Sequence, residues 1–204
     1  MEPDLQALTD AAAAGDRAAV ERLLERFLPD VRAFVRLRAG PALRARESSS
    51  DLVQSVCREI LEHAERFRYP SEGAFKHWLF TTAQRKLQHR HEYWMAQKRG
   101  AVGEVPIDSG QGSSAGDVPD LMSRYRRFSS PSRAASLREE VERVEAAFDQ
   151  LSEEHREVIT LAHLTGLSRA EIAERMQRSE GAVRVLLHRA LARLSGLLQP
   201  ELGG

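Results

Sequence analysis

Apolar residues recur about every 3.6 positions through almost the whole of this chain, and the recurrence breaks off once, between Gly100 and Pro131. That pattern restricts the fold more than any other feature. A 3.6-residue period marks a helix with one buried face, whereas a strand needs period-two alternation with β-branched enrichment, and no segment has it. The chain is therefore expected to be all-α. Helices are expected at about 4–14, at 17–39 with a break or bend near Pro29, at 51–66 and at 73–98. A further helical run is expected from about Ala134 to Leu198, where Leu137, Val141, Val144 and Phe148 restart the stripe. The interruption holds Gly100, Gly103, Gly110, Gly112, Gly116, Pro106, Pro119 and Pro131 among many serines. Such a composition buries too little apolar surface to offset the entropy of ordering it. The expected organisation is two helical domains, 1–99 and 134–204, joined by a flexible linker over 100–133.

Bulk charge gives no partner. Lys and Arg number 30 and Asp and Glu number 30, so an argument for a polyanionic partner has to come from local charge. The opening MEPDLQALTDAAAAGD has acids where a secretory signal needs a basic start, and no run approaches the roughly 18 apolar residues of a membrane span. A cytoplasmic location without membrane insertion is expected. One cysteine, Cys57, excludes an intrachain disulfide and a cysteine-rich zinc site, and its alignment with Val53, Val56, Ile60, Leu61 and Ala64 reads as a buried thiol in a helix core.

The stretch LSEEHREVITLAHLTGLSRAEIAERMQRSEGAVRVLLHRA is closely punctuated. Ser152 with Glu153 and Glu154 starts a helix, with acids where the helix dipole favours them. Gly166 ends it, and Ser168 with Glu171 forms an S-x-x-E capping box that opens another. That helix is short, with Ile172, Ala173 and Met176 on its apolar face; Gln177 and Arg178 turn the chain and Ser179 caps the next. Two helices across so short a turn, with small Ala173 at their crossing and Val183 and Leu186 packed beneath, match a DNA-binding helix-turn-helix. The turn position most often given to glycine is Gln177. Val183, Leu186, Leu187, Ala190, Leu191 and Leu194 form the buried stripe of the last helix. Its outer face presents Arg184, Val185, His188 and Arg189. Arginine donates to phosphates or guanine edges, histidine does either, and valine meets a thymine methyl. The N-terminal end, at Ser179, Glu180 and Gly181, offers free backbone N–H groups suited to phosphate.

In the first domain the helix from Asp51 turns Val53, Val56, Cys57, Ile60, Leu61 and Ala64 inward, and leaves Asp51, Leu52, Gln54, Ser55, Arg58 and Glu59 toward solvent or its margin, an exposed leucine among polar groups that suits a partner surface. A Pro and Gly loop, Tyr69 to Gly73, then precedes a long helix carrying Lys76, Arg85, Lys86, Arg90, Lys98 and Arg99, with His77, His89 and His91. Glu92 is the only acid after Glu72 in that helix. Cations along one helix neutralise phosphates, and Tyr69, Trp78, Tyr93 and Trp94 are candidates for stacking on unpaired bases. Trp78 is equally suited to the core.

These residues carry a resemblance. The D-L-V-Q of Asp51 to Gln54, followed by the F-x-x-W-L-F of Phe75 to Phe80 and a basic helix, resembles the second region of sigma-70 family factors. The L-S-x-x-x-R-E-V, G-L-S-x-x-E-I-A-E and S-E-G-A-V-R elements resemble the fourth. Order and spacing fit the short, extracytoplasmic-function group, over roughly residues 5–99 and 137–198. The resemblance implies a sigma factor that binds core RNA polymerase, recognises the minus-thirty-five and minus-ten promoter elements, and helps melt the duplex. It implies that Asp51, Leu52, Gln54, Ser55 and Arg58 dock on the polymerase. Arg68, Tyr69, Ser71, Glu72, Lys76, His77, Trp78, Arg85, Lys86 and Arg90 would meet the minus-ten element, the loop capturing an extruded base. Ser179, Glu180, Gly181, Arg184, Val185, His188 and Arg189 would meet the minus-thirty-five element. An anti-sigma factor or other regulator is a further implied partner.

His89 and His91 stand i and i+2 on a helix and point apart, and no phosphate-cradling glycine loop or nucleophile elbow is present. No cofactor, metal or catalytic role is expected. The alternatives are a free-standing helix-turn-helix regulator of duplex operators and a scaffold that uses its helices for protein contacts only. The D-L-V-Q helix argues against the first and the basic helices against the second.

Overall fold

The structure is a computed structural model that describes residues 4–97, 122, 123, 125 and 138–198. Those residues are helical with no strand, as the periodicity requires. Among them no helix is long and apolar enough to cross a membrane.

In the N-terminal half α1 spans Leu5–Ala13, α2 Arg17–Arg44, α3 Ser49–Glu62 and α4 Glu72–Gln97, with a 3-10 turn at Ala64–Arg66. Side chains close the helix starts. Asp4 accepts from the Gln6 N–H, Asp16 from Ala18 and Ala19, and Ser48 from Asp51. Expectation and structure differ along α2. The helix passes through Pro29 and departs from helical geometry at Gly40 instead, where φ is 66° and ψ 165°. The fixed φ of proline suits a helix, and buried Phe27, Val31 and Phe34 hold α2 on either side of Pro29. Gly40 precedes Pro41, whose ring disfavours helical backbone at the residue before it, and glycine alone reaches that positive φ without strain. Aromatic rings meet within a largely aliphatic core: Phe34 meets Phe80 at 5.1 Å between ring centroids, and Phe75 meets Phe67 at 5.2 Å edge-on and Phe27 at 5.8 Å. These contacts tie α2 and α4 to the segment after α3.

In the C-terminal half α5 spans Arg138–Asp149, α6 Glu153–Leu164, α7 Arg169–Arg175 and α8 Glu180–Leu198. Ser152 caps α6 through the His155 N–H at 3.3 Å. Thr165 donates its hydroxyl to the Leu161 carbonyl and accepts from the Leu167 N–H, and Gly166 follows with φ of 68°. The capping box is complete: Ser168 Oγ accepts from the Glu171 N–H at 3.3 Å, and Glu171 Oε2 accepts from the Ser168 N–H at 2.7 Å. Gln177 holds φ of 53° in the turn, the left-handed geometry for which glycine is usual. Ile172, Ala173, Val183, Ala190 and Leu194 are buried.

The two halves touch. Arg36 and Arg38 of α2 pair with Glu145 of α5 and Glu153 of α6, each at 2.6 Å, and Arg44 pairs with Asp149. Most of the expected linker lies outside the described residues. Within it Met122 and Tyr125 are buried, and the Tyr125 hydroxyl donates to Glu145 at 2.8 Å. At those two positions the chain is anchored, because an apolar thioether and an aromatic ring repay the entropy of ordering them.

Candidate nucleic-acid interface

The α3 surface differs from expectation at one residue. Asp51, Gln54 and Arg58 are exposed and Ser55 is half-buried, but Leu52 is 1% exposed. The helix begins at Ser49, and Leu52, Val56 and Ile60 share one i, i+4, i+8 row facing the core. Leu52 is thus a core residue, and the outer face is polar. Cys57 is half-buried against that core, and burial pushes its thiol up.

Beyond α3 the turn at Ala64–Arg66, the loop and one face of α4 line a cleft of about 1250 Å³. Of the residues expected to meet the minus-ten element, Arg68, Tyr69, Ser71, His77, Trp78, Arg85 and Lys86 lie on it, joined by His63, Arg66 and His89. Tyr69 is 74% exposed at the loop tip. Trp78 is half-buried, packed on Phe67 and Phe75 at 5.8 and 5.7 Å, so it serves the core and the cleft wall together. Glu72, Lys76 and Arg90 do not line the cleft. Lys76 pairs with Glu72 at 2.5 Å and lies over the Phe27 ring. Arg90 is drawn to Glu47 at 2.5 Å. Lys86 stays on the cleft and donates to Glu59 at 2.8 Å, a hydrogen bond that holds the Glu59 carboxyl below its ordinary value despite burial. Lys98 and Arg99 lie outside the described residues.

Sequence reasoning missed Glu47 and the partner of Glu59. Each acid stands on another segment and neutralises a cation of α4, and such pairing across 27 or 43 residues leaves no local spacing to read. The cleft is consequently less charged than the run of cations suggests: Arg68, Arg85, His77 and His89 line it together with Arg175 of α7 and the acids Glu157, Glu171 and Glu174 of α6 and α7.

On α8 every expected contact residue is exposed: Ser179, Glu180, Gly181, Arg184, Val185, His188 and Arg189. Ser179 Oγ accepts from the Ala182 N–H at 3.2 Å, closing the helix start. Val185, 46% exposed, is an apolar side chain ringed by donors. A helix of this kind, backed by α7 and free on its outer face, has the shape and chemistry to enter a major groove.

Both halves match known protein families. The family description "Sigma-70 region 2" matches residues 23–96, and "Sigma-70, region 4" matches residues 141–194. The chain is 30% identical to the ECF RNA polymerase sigma factor SigD of Mycobacterium tuberculosis over 93% of this chain and 82% of that protein. It is also 30% identical to the ECF RNA polymerase sigma factor SigF of Caulobacter vibrioides, over 95% of this chain and 93% of the relative. With the ECF RNA polymerase sigma-E factor of Haemophilus influenzae it shares 30% identity over 96% and 95% of the two chains. Among solved structures, a chain of CnrH in complex with the cytosolic domain of CnrY superposes with a TM-score of 0.56 at 24% identity, covering 96% of this chain and 97% of that one, which shows a shared fold.

Proposed function

Because the chain belongs to the ECF RNA polymerase sigma factors of the sigma-70 family, we propose that its two halves divide promoter recognition as follows. A sigma factor binds core RNA polymerase and gives it its choice of promoter. In the N-terminal half, residues 1–99, Asp51, Gln54, Ser55 and Arg58 form the polar docking surface for the polymerase. The cleft beside it takes the melted minus-ten strand: Tyr69 stacks on a base taken out of the duplex, and Arg68, His77 and Arg85 hold its phosphates. In residues 134–204, Arg184, Val185, His188 and Arg189 read the minus-thirty-five duplex, with Ser179, Glu180 and Gly181 set at the backbone by the helix start. Arg90, Lys86 and Lys76, each paired with an acid, shape the first domain and contribute less to DNA binding than the unpaired cations.

The single observation that carries this reading is that loop and helix residues scattered between Arg68 and Lys86 converge on one cleft. Polymerisation belongs to the core enzyme, and the chain supplies no catalytic group of its own. It works in the cytoplasm, where the polymerase is. The likeness to CnrH, solved with the cytosolic domain of CnrY, supports a regulatory protein as a further partner. The testing experiment is transcription in vitro with purified core polymerase across a genomic promoter library. Specific initiation that depends on the added chain is expected; no specific start sites and no stable association with core polymerase would overturn the reading.

A further inference from the structure

The Tyr69 ring is largely exposed, so little around it holds it where a base can stack. Its placement has to come from the backbone beneath it. The loop is fixed at both ends: Phe67 is buried in the core, and Ser71 Oγ accepts from the Ala74 N–H at 3.1 Å at the start of α4. Between these anchors Arg68, Tyr69 and Pro70 are all exposed. The Ser71 N–H donates to the Tyr69 carbonyl at 2.9 Å, a bond within the loop itself.

The tie from outside comes from α1. Gln6 Nε2 donates to the Pro70 carbonyl at 2.9 Å, across 64 residues of chain. Among the described residues it is the one hydrogen bond that reaches Arg68, Tyr69 or Pro70 from another element. The same nitrogen donates to Asp10 Oδ1 at 2.9 Å, one turn along α1, so both amide hydrogens are committed and the plane of the amide is set. The helix behind Gln6 is firmly seated: Leu8, Thr9 and Ala12 are buried, α1 packs on both α2 and α4, and Asp4 caps its first turn. No described residue of α1 lines the cleft, so Gln6 reaches the strand site only through the loop.

Proline makes this one bond count. The ring of Pro70 fixes its own φ and confines Tyr69 to extended backbone. The main rotation left between Tyr69 and the α4 cap is then the one that swings the Pro70 carbonyl. A donor on a seated helix that holds that oxygen therefore sets the direction in which Tyr69 leaves the loop.

We propose that Gln6 is a positioning residue for capture of the melted strand: from α1, through the Pro70 carbonyl, it holds the loop in the geometry in which Tyr69 receives an unpaired base. The proposal rests on the assignment of Tyr69 and its cleft to that strand. Without the bond the loop spends part of its time in other geometries, and strand affinity falls with the fraction of competent loop.

The test is a double-mutant cycle on the full chain: wild type, Gln6→Met, Tyr69→Ala and both changes together. Each is titrated by fluorescence anisotropy with a fluorescein-labelled single-stranded DNA of random sequence, about a dozen nucleotides long. Methionine keeps the length, neutrality and helix propensity of glutamine and removes the donor. Positioning predicts that Gln6→Met weakens strand binding about two- to fivefold at an unchanged urea midpoint, and that it has no effect once Tyr69→Ala is present. That second readout separates positioning from a merely structural role, because lost stability weakens both backgrounds alike. Equal weakening by Gln6→Met in the two backgrounds overturns the proposal. Weakening by Tyr69→Ala but none by Gln6→Met also overturns it and leaves the cleft assignment standing. No effect of either variant would overturn the cleft assignment and positioning with it.

Discussion

Trp94 donates its indole N–H to Glu47 Oε1 at 2.6 Å, while Glu47 Oε2 receives Arg90 through Nε at 3.1 Å and Nη2 at 2.5 Å. One carboxylate, 9% exposed, thereby joins the loop between α2 and α3 to the far end of α4. The Arg46 guanidinium lies over the Trp94 ring and adds to the same contact. Burial pushes the Glu47 carboxyl up, but the bonds from Arg90 and Trp94 outweigh it and hold the group below its ordinary 4.5. A depressed folded-state value means that the stabilisation is fully present above that ordinary value and is lost as pH falls through the lowered one. Glu47→Gln should lower unfolding stability by about 1.5–3 kcal/mol at neutral pH. Urea unfolding of the two chains from neutral to acid pH should show that difference shrinking below the ordinary carboxylate range.

Gln177 carries a side chain at φ of 53°. Left-handed backbone costs an ordinary residue about 1–2 kcal/mol, part of which glycine recovers against its own entropy. Gln177→Gly should raise stability by about 0.5–1 kcal/mol, and Gln177→Val should lower it, both read by urea midpoint at unchanged slope.

Along a single turn of α3 a core residue, Leu52, stands beside the exposed face proposed to dock on the polymerase. Leu52→Ala should destabilise the fold by about 2–5 kcal/mol through a cavity among Val56, Ile60 and their neighbours. Gln54→Arg, on the exposed face, should leave unfolding within about 0.5 kcal/mol of wild type and weaken association with core polymerase measured by fluorescence anisotropy. Unchanged polymerase affinity would remove this face from the interface.

Arg184 and Arg189 are exposed on the outer face of α8. Arg184→Ala and Arg189→Ala should each reduce minus-thirty-five duplex affinity by about 1–3 kcal/mol while the isolated strand still binds the N-terminal half. A base contact reveals itself as relaxed preference at one position, a phosphate contact as uniform weakening with a shallower salt slope. Unchanged footprints for both variants would dismiss the face.

What could be read from sequence was local. The capping box of Ser168 and Glu171, the stop at Gly166, the unusual Gln177 and the outward set on α8 all depend on neighbours within a few residues, and each is where the spacing puts it. The residues converging on the cleft were likewise legible, because a loop and the helix that follows it have a fixed mutual geometry. Leu52 stands at the edge of the apolar stripe, beside Val53 and in the row of Val56 and Ile60, and a stripe two residues wide at its start leaves the side of its first leucine to be decided by how α2 and α4 pack against it. The pairing of Lys86 with Glu59 and Arg90 with Glu47, the anchoring of Tyr125 and the acids that α7 brings to the cleft all join distant segments. No periodicity reports such contacts, since they are set by how whole helices pack.

At seven residues, Arg169–Arg175, α7 is shorter than an isolated helix can sustain, since nucleating a turn fixes several dihedrals for one hydrogen bond. It persists because both of its first-turn partners come from its own boundary and because Ile172 and Ala173 are clamped from outside. It has no stability apart from that clamp, so its amides should exchange with solvent at the rate of the clamp and not at a rate of their own. The helix-turn-helix is then one cooperative unit, in which loosening any wall dissolves α7 together with its neighbours.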